Sequence, residues 1–273
     1  MRLLQLHDDA ELRLTKPLLD DKLPAYAILS HRWGDDGDEV TFEDLAERSS
    51  YQSKAGYGKI KFCGEQAARD GLRYFWVDSC CIRRSSDAEL SEAINSMFRW
   101  YRGAAKCYVY LKDVSSGALQ SQQDSDFRES DWFTRGWTLQ ELIAPATVQF
   151  FSKEGDLIGD KNSLQQKIYE ITSIPLTALS GSPLSTFSVK ERMRWATERK
   201  TTRKEDRAYC LLGIFEVFIP PIYGEGENAF TRLQEAINSR SYGEFLIVAY
   251  FQPAYQLDPA RTNQPERGLF PEH

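Results

Sequence analysis

Histidine is scarce in this 273-residue chain: there are three, His7, His31 and His273. Two of them lie near the ends, so a multi-histidine metal site would need both ends to converge on the middle, and no metal is expected. The five cysteines, Cys63, Cys80, Cys81, Cys107 and Cys210, are odd in number and contain no CxxC pair. That excludes a ribbon-type zinc site and a disulfide framework. No run of about 18 apolar residues is present, and no apolar segment follows a basic start, so neither a membrane span nor a secretory leader is expected. These absences point to a reduced, soluble, cytoplasmic protein. Forty acidic side chains against thirty-four Lys and Arg leave a formal charge of −6, which argues against specific nucleic-acid binding.

What is there is ordinary globular material, 41% apolar and 27% charged, with 12% aromatic residues to fill a core. Residues 25–30 read as a strand that stops in the polar turn His31-Arg32-Trp33-Gly34. Ile60, Cys63, Ala67 and Ala68 share one helix face. Residues 74–77 form a continuous apolar run that exits into Asp78-Ser79-Cys80, as parallel strands covered on both faces do. A helix over 87–101 opens with Ser86 and Glu89 spaced as a capping box. A third strand over 107–111, a loop rich in Ser, Gln and Asp over 115–130, a helix over 137–143 and a fourth strand over 148–151 follow. This alternation predicts an α/β fold with a parallel sheet flanked by helices, assigned to residues 1–155. Residues 156–250 read as mostly helical, with capping pairs Ser188/Glu191 and Thr202/Glu205 and a last helix carrying Phe230, Leu233 and Ile237. Residues 251–273, polar and punctuated by proline, read as a tail or linker.

Ligands of open parallel sheets bind outside the carboxyl ends of the strands. Three such ends are polar here: Ser30 to Gly34, Asp78-Ser79-Cys80, and Asp113. Trp33 suits stacking on a ring and Arg32 suits a phosphate; alternatively Ser30 and Asp78 cap turns and Trp33 plugs the core. The most unusual stretch is Asp131-Trp132-Phe133-Thr134-Arg135-Gly136-Trp137-Thr138-Leu139-Gln140-Glu141-Leu142. Glu141 lies four residues after Trp137, hence on the same helix face. By spacing alone Glu141 is a solvated surface charge, although a carboxyl set beside aromatics has its pKa raised. A nucleophilic pair of Cys80 with His31 is weaker than the reading of Cys80 as a buried apolar residue. Residues 190–207 hold eight basic against four acidic side chains. They read as a solvated helix face, with phosphate or an acidic partner as the alternative.

Three blocks together resemble a known family: Ala25-Tyr26-Ala27-Ile28-Leu29-Ser30-His31-Arg32-Trp33-Gly34, Trp76-Val77-Asp78-Ser79-Cys80-Cys81-Ile82, and Arg135-Gly136-Trp137-Thr138-Leu139-Gln140-Glu141-Leu142. They are similar to the signature blocks of the heterokaryon-incompatibility (HET) domain of filamentous fungi. Residues 89–97, 207–213 and 223–230 fit the same family, so the resemblance runs in order over residues 20–240. It implies a role in self/non-self recognition and programmed cell death after fusion of incompatible cells. HET domains are distantly similar to TIR domains, some of which cleave NAD. The resemblance therefore implies a TIR-like, flavodoxin-like sheet, with NAD or a related nucleotide as substrate and no resident cofactor. It makes Glu141 the catalytic carboxylate and places Ser30, His31, Arg32, Trp33, Gly34, Asp78, Ser79, Cys80, Arg135 and Trp137 around the substrate. The long 115–130 segment and the helical region after 155 have no TIR counterpart. The chain carries none of the sensor or repeat domains that often follow a HET domain, which implies activation by self-association or by a partner protein. Two other readings stay open: a non-enzymatic signalling and oligomerisation module, and a nucleotide sensor without turnover.

Overall fold

The computed structural model describes residues 1–7, 11–35, 37–47 and 50–251, with side chains through residue 240, Gln120 aside. Seven strands form one sheet: β1 (Leu4–Leu6), β2 (Leu12–Leu14), β3 (Tyr26–His31), β4 (Tyr74–Trp76), β5 (Lys106–Tyr110), β6 (Val148–Phe151) and β7 (Leu157–Asp160). Their order is β2-β1-β4-β3-β5-β6-β7. The inner four are parallel, with Ala27 opposite Phe75 and Lys106, and Cys107 opposite Val148. The α/β class and the parallel centre match the sequence reading. The edges correct it, because β1, β2 and β7 pair antiparallel. Counted among themselves, the parallel strands run 2-1-3-4, the start of a flavodoxin-like order.

The helices, in chain order, are α1 (Phe42–Ala46), α2 (Tyr57–Arg69), α3 (Asp78–Cys81), α4 (Asp87–Gly103), α5 (Gln120–Glu129), α6 (Thr138–Ile143), α7 (Gln165–Thr172), α8 (Leu176–Leu179), α9 (Val189–Arg194), α10 (Asp206–Tyr209), α11 (Leu212–Phe215) and α12 (Asn228–Phe251). Strand alternation sends neighbouring residues to opposite helix layers. Phe75 packs toward Gly64 of α2, while Trp76 meets Trp100 and Tyr101 of α4 edge-on at 5.7 and 5.9 Å. Covered on both faces, β3 is buried over all six residues.

Three local readings change. The expected loop over 115–130 contains α5, which buries Phe127 against Phe133 and Phe150. The box at Ser86 is half made: Ser86 Oγ accepts from Glu89 N–H, but the Glu89 carboxylate accepts from Arg83 N–H and pairs with Arg2. Thr202 starts no helix, because α10 begins at Asp206 and the Glu205 carboxylate accepts from the N–H groups of Gly224 and Gly226 at 2.8 and 3.1 Å. The box at Ser188 and Glu191 forms as read.

Met1–Ile237 make one compact unit, and β7 extends its sheet past residue 155. A second unit begins at Asn238 and its described part is helical to Phe251. The tail read over 251–273 lies outside the described residues after Phe251. Among the described residues no helix is long and apolar enough to cross a membrane.

The later helices dock on the sheet layers through close contacts. At Gly213 of α11 an added Cβ would overlap Phe98 of α4, so only glycine permits this approach. Gly213→Ala is expected to lower stability by about 2–3 kcal/mol through overpacking. Urea denaturation checks this: the midpoint falls with an unchanged m-value, and a loss below about 0.5 kcal/mol contradicts the packing argument.

Candidate functional site

The chain leaves β3 with β4 on one side and β5 on the other, so the carboxyl ends of these three strands open onto a crevice at the switch point of the sheet. A pocket of about 730 Å³ lies there. The polar tip of β3 is split by strand alternation. Ser30 turns toward α6, and His31 turns toward Lys59 of α2 and toward Glu39.

On the Ser30 side, its hydroxyl donates to Glu141 Oε2 at 2.5 Å and accepts from the Trp132 indole N–H at 2.9 Å. Glu141 is only 7% exposed, yet it lines the pocket together with Arg135 and Trp137. This overturns the spacing-based reading of Glu141 as a solvated charge. Burial raises its pKa to about 8. The Ser30 hydrogen bond opposes that rise, the nearby Asp78 charge adds to it, and Arg135 and Arg199 oppose it.

Helix α6 is fixed at both ends. The Thr138 hydroxyl donates to the carbonyl of Trp132 at 2.7 Å. Arg199 donates to the Arg135 carbonyl and to Thr138 Oγ1, both at 2.8 Å. At the other end the buried Lys161 ammonium donates to the Pro145 carbonyl at 2.7 Å and reaches that of Leu142 at 3.4 Å, a favourable place for a cation. Just before α6, Gly136 N–H donates to Lys200 O at 2.9 Å and Lys200 N–H to Thr134 O at 2.6 Å. A Cβ at Gly136 would stand 2.5 Å from Thr201 Cγ2, so a side chain there would push this strap away.

On the His31 side, burial and the positive charges of Lys59, Arg135 and Arg84 hold the imidazole pKa well below its ordinary value, so His31 is neutral. Its Nε2 lies 3.8 Å from both Glu39 Oε2 and Asp78 Oδ1. Glu39 Oε1 accepts from Lys59 Nζ at 2.5 Å and from Gly34 N–H at 2.6 Å, which pins the turn after β3. Trp33 donates its indole N–H to Asp78 Oδ2 at 2.9 Å, and the Arg84 guanidinium lies 4.2 Å over its ring. Arg32 is paired with Asp131. The acceptors at Asp113 serve Ser130 Oγ and Asp131 N–H, both at 2.9 Å.

His31, Arg32, Trp33, Gly34, Asp78, Arg135, Trp137 and Glu141 therefore meet at one pocket. Ser30 touches Glu141 from behind the wall. Ser79 and Cys80 are not brought to it: both are buried in α3, and burial lifts the Cys80 thiol well above its ordinary value, which leaves no activated nucleophile. Sequence reasoning missed the wall made by Lys200, Thr201, Thr202, Arg203 and Asp206, with Tyr223 beside it. Its only signal was the basic surplus over 190–207; the reading of that surplus as a solvated helix face holds for α9, where Lys190 and Arg194 are exposed, and fails for residues 200–203, which form a non-helical strap along the pocket. Among the described residues no group of three or more His, Cys, Asp and Glu could hold a metal ion.

Residues 26–125 match the family model described as heterokaryon incompatibility protein (HET). Vegetative incompatibility protein HET-E-1 of Podospora anserina is 58% identical over 242 residues, which cover 87% of this chain and 18% of that protein. The chain thus spans less than a fifth of that relative's length. No solved structure matches it.

The raised Glu141 pKa has a stability consequence. Folded, the carboxyl binds its proton up to about pH 8; unfolded, it releases it near pH 4.3. The stabilisation from holding that proton is complete below the unfolded value and is lost as pH rises through about 8. Glu141→Gln carries no such group. Its melting temperature, relative to the parent chain, is expected to climb between pH 5 and 8 and to level off above. The slope is at most about 1.4 kcal/mol per pH unit. A difference that does not vary with pH contradicts the burial argument.

Proposed function

We propose that this chain, whose residues 26–125 match the heterokaryon-incompatibility family, acts in fungal self/non-self discrimination by cleaving the nicotinamide–ribose bond of NAD, with Glu141 as the catalytic carboxylate. The observation that carries this reading is the position of Glu141: a buried carboxylate held by Ser30 on the wall of the switch-point pocket, beside Trp137 and Arg135. A relative named for vegetative incompatibility supports the biological half of it.

The chemistry suits a lone carboxylate. The C1′–N1 bond breaks and its electron pair passes to the nicotinamide ring, which is cationic in NAD and leaves neutral, so no general acid is needed. The ribose is left with oxocarbenium-like charge. A carboxylate fixed beside C1′ in a water-poor pocket stabilises that charge. Water then adds at C1′ and releases a proton, giving ADP-ribose, nicotinamide and a proton in balance. In the empty pocket Glu141 is mostly protonated at neutral pH, because its pKa is about 8. The cationic nicotinamide ring favours the ionised form and draws the proton off as substrate binds. Trp33 and Trp137 offer ring faces, and Asp78 offers an acceptor for a ribose hydroxyl. Loss of NAD in a mixed cell is the route to its death, and self-association or a partner supplies the trigger.

A second reading has one observation behind it. Phe218 and Ile222, between α11 and α12, expose large apolar side chains, as a non-enzymatic contact module would. The readings part on Glu141→Gln: killing on overexpression survives this change in the second and is lost in the first.

Purified protein incubated with NAD across a concentration series is expected to release nicotinamide, and Glu141→Gln to slow it at least about 100-fold. Because the active form is the carboxylate, kcat/KM rises with pH toward a plateau above about 8, and the corresponding limb in kcat lies at lower pH. No release at any concentration, or an unimpaired variant, overturns the reading.

A further inference from the structure

The formal charge of the protein is −6, yet its switch-point pocket is lined by Arg32, Arg84, Lys112, Arg135, Lys200 and Arg203. Several of these are engaged. Arg32 pairs with Asp131, Arg84 lies over Trp33, and Arg203 lies over Tyr223. Lys112, Arg135 and Lys200 form no side-chain hydrogen bond or salt bridge with an acidic group among the described residues. The acidic side is weak. Burial pushes the carboxyls of Glu141, Asp78 and Asp206 toward their neutral forms, and Asp35 stands exposed at the rim. A cationic concavity in an acidic protein concentrates anions.

Two of these three cations are held side by side by backbone. Arg135 and Lys200 form a parallel bridge, secured by the Gly136 N–H to Lys200 O and Lys200 N–H to Thr134 O hydrogen bonds. Bridged residues lie about 4.8 Å apart, near enough for one phosphate to touch both side chains. Lys112, following β5, supplies a third cation to the same pocket. A bare nucleoside leaves these charges unanswered, whereas a diphosphate answers them.

We infer that Arg135 and Lys200 form a two-cation clamp for the phosphates of the ligand, with Lys112 as the third contact, and that this clamp restricts the pocket to nucleotides bearing a diphosphate. The inference rests on the nucleotide reading above and adds to it the residues that choose among nicotinamide compounds. They act by binding rather than at the reacting bond.

The test uses the full chain with ADP-ribose, inorganic pyrophosphate and nicotinamide riboside as probes. ADP-ribose and pyrophosphate are expected to raise the melting temperature, while nicotinamide riboside at the same concentration leaves it unchanged. Lys200→Glu is expected to weaken ADP-ribose binding at least about tenfold and to raise KM for NAD more than it lowers kcat. Lys112→Glu, on a separate segment, acts in the same direction and serves should the first variant fold poorly. Lys204→Glu, exposed just after the strap and outside the pocket lining, leaves both quantities unchanged. Equal binding of nicotinamide riboside and ADP-ribose, no binding of either phosphate-bearing probe, or unaltered affinity in both variants overturns the clamp. Failure of the cleavage reading looks different: ADP-ribose binds through Lys200 and no nicotinamide is released from NAD. Conversely, NAD and nicotinamide riboside cleaved with equal kcat/KM would sink the clamp and leave the cleavage reading standing.

Discussion

The hydrogen bond from Ser30 to Glu141 is the contact on which the rest of the site depends. Taking a carboxyl out of water is costly unless its oxygens find partners, and here one hydroxyl meets it, itself oriented by the Trp132 indole. The two residues stand 111 positions apart, so the bond ties the central strand to α6. Trp132 packs edge-on against Phe133 and Phe150 at 5.0 and 5.6 Å, which keeps solvent from the back of the carboxyl. Aromatic packing, the orientation of one serine and the protonation of one glutamate are therefore a single arrangement.

The same strand carries a second polar assembly on its other face. Because side chains alternate, His31 cannot join Ser30 and instead faces Glu39, Lys59 and Asp78. Lys59 answers Glu39, and Glu39 holds the backbone of Gly34, so buried side chains pin the turn that follows β3. A single step in sequence, from Ser30 to His31, thus separates the reactive wall of the pocket from its structural floor.

Much of this was legible in the sequence. The four inner strands are long enough apolar runs to declare themselves, and their polar exits mark the crevice because carboxyl ends of parallel strands converge there. Elements that evaded reading share a physical reason. Strands β1 and β2 have three residues each with a polar residue at the centre, so, unlike the equally short β4, whose run continues into Val77, they show no continuous apolar stretch. Helix α5 is polar nearly all round and buries Phe127 as its anchor, so no apolar stripe betrays it. Glu141 reads as surface by spacing, since nothing local shows that Ser30 and Trp132 will close over it. Thr202 and Glu205 carry the spacing of a capping box, but Glu205 is claimed by the glycine-rich turn at Gly224 and Gly226. Local patterns were overruled wherever a distant segment offered the better partner. The family match over 26–125 ends before α6, so it covers the strands that frame the pocket and not the carboxylate within it.

The strap that bridges Arg135 to Lys200 also bears on when the pocket exists at all. A contact between segments this far apart closes a long loop, and its entropy is recovered only after both segments have arrived. Glu141 is made well before Lys200, Arg203 and Tyr223, so the pocket lacks that wall until those residues have been made too. The order of residues along the chain thus keeps the nascent protein from presenting a finished pocket until nearly all of the compact unit has left the ribosome.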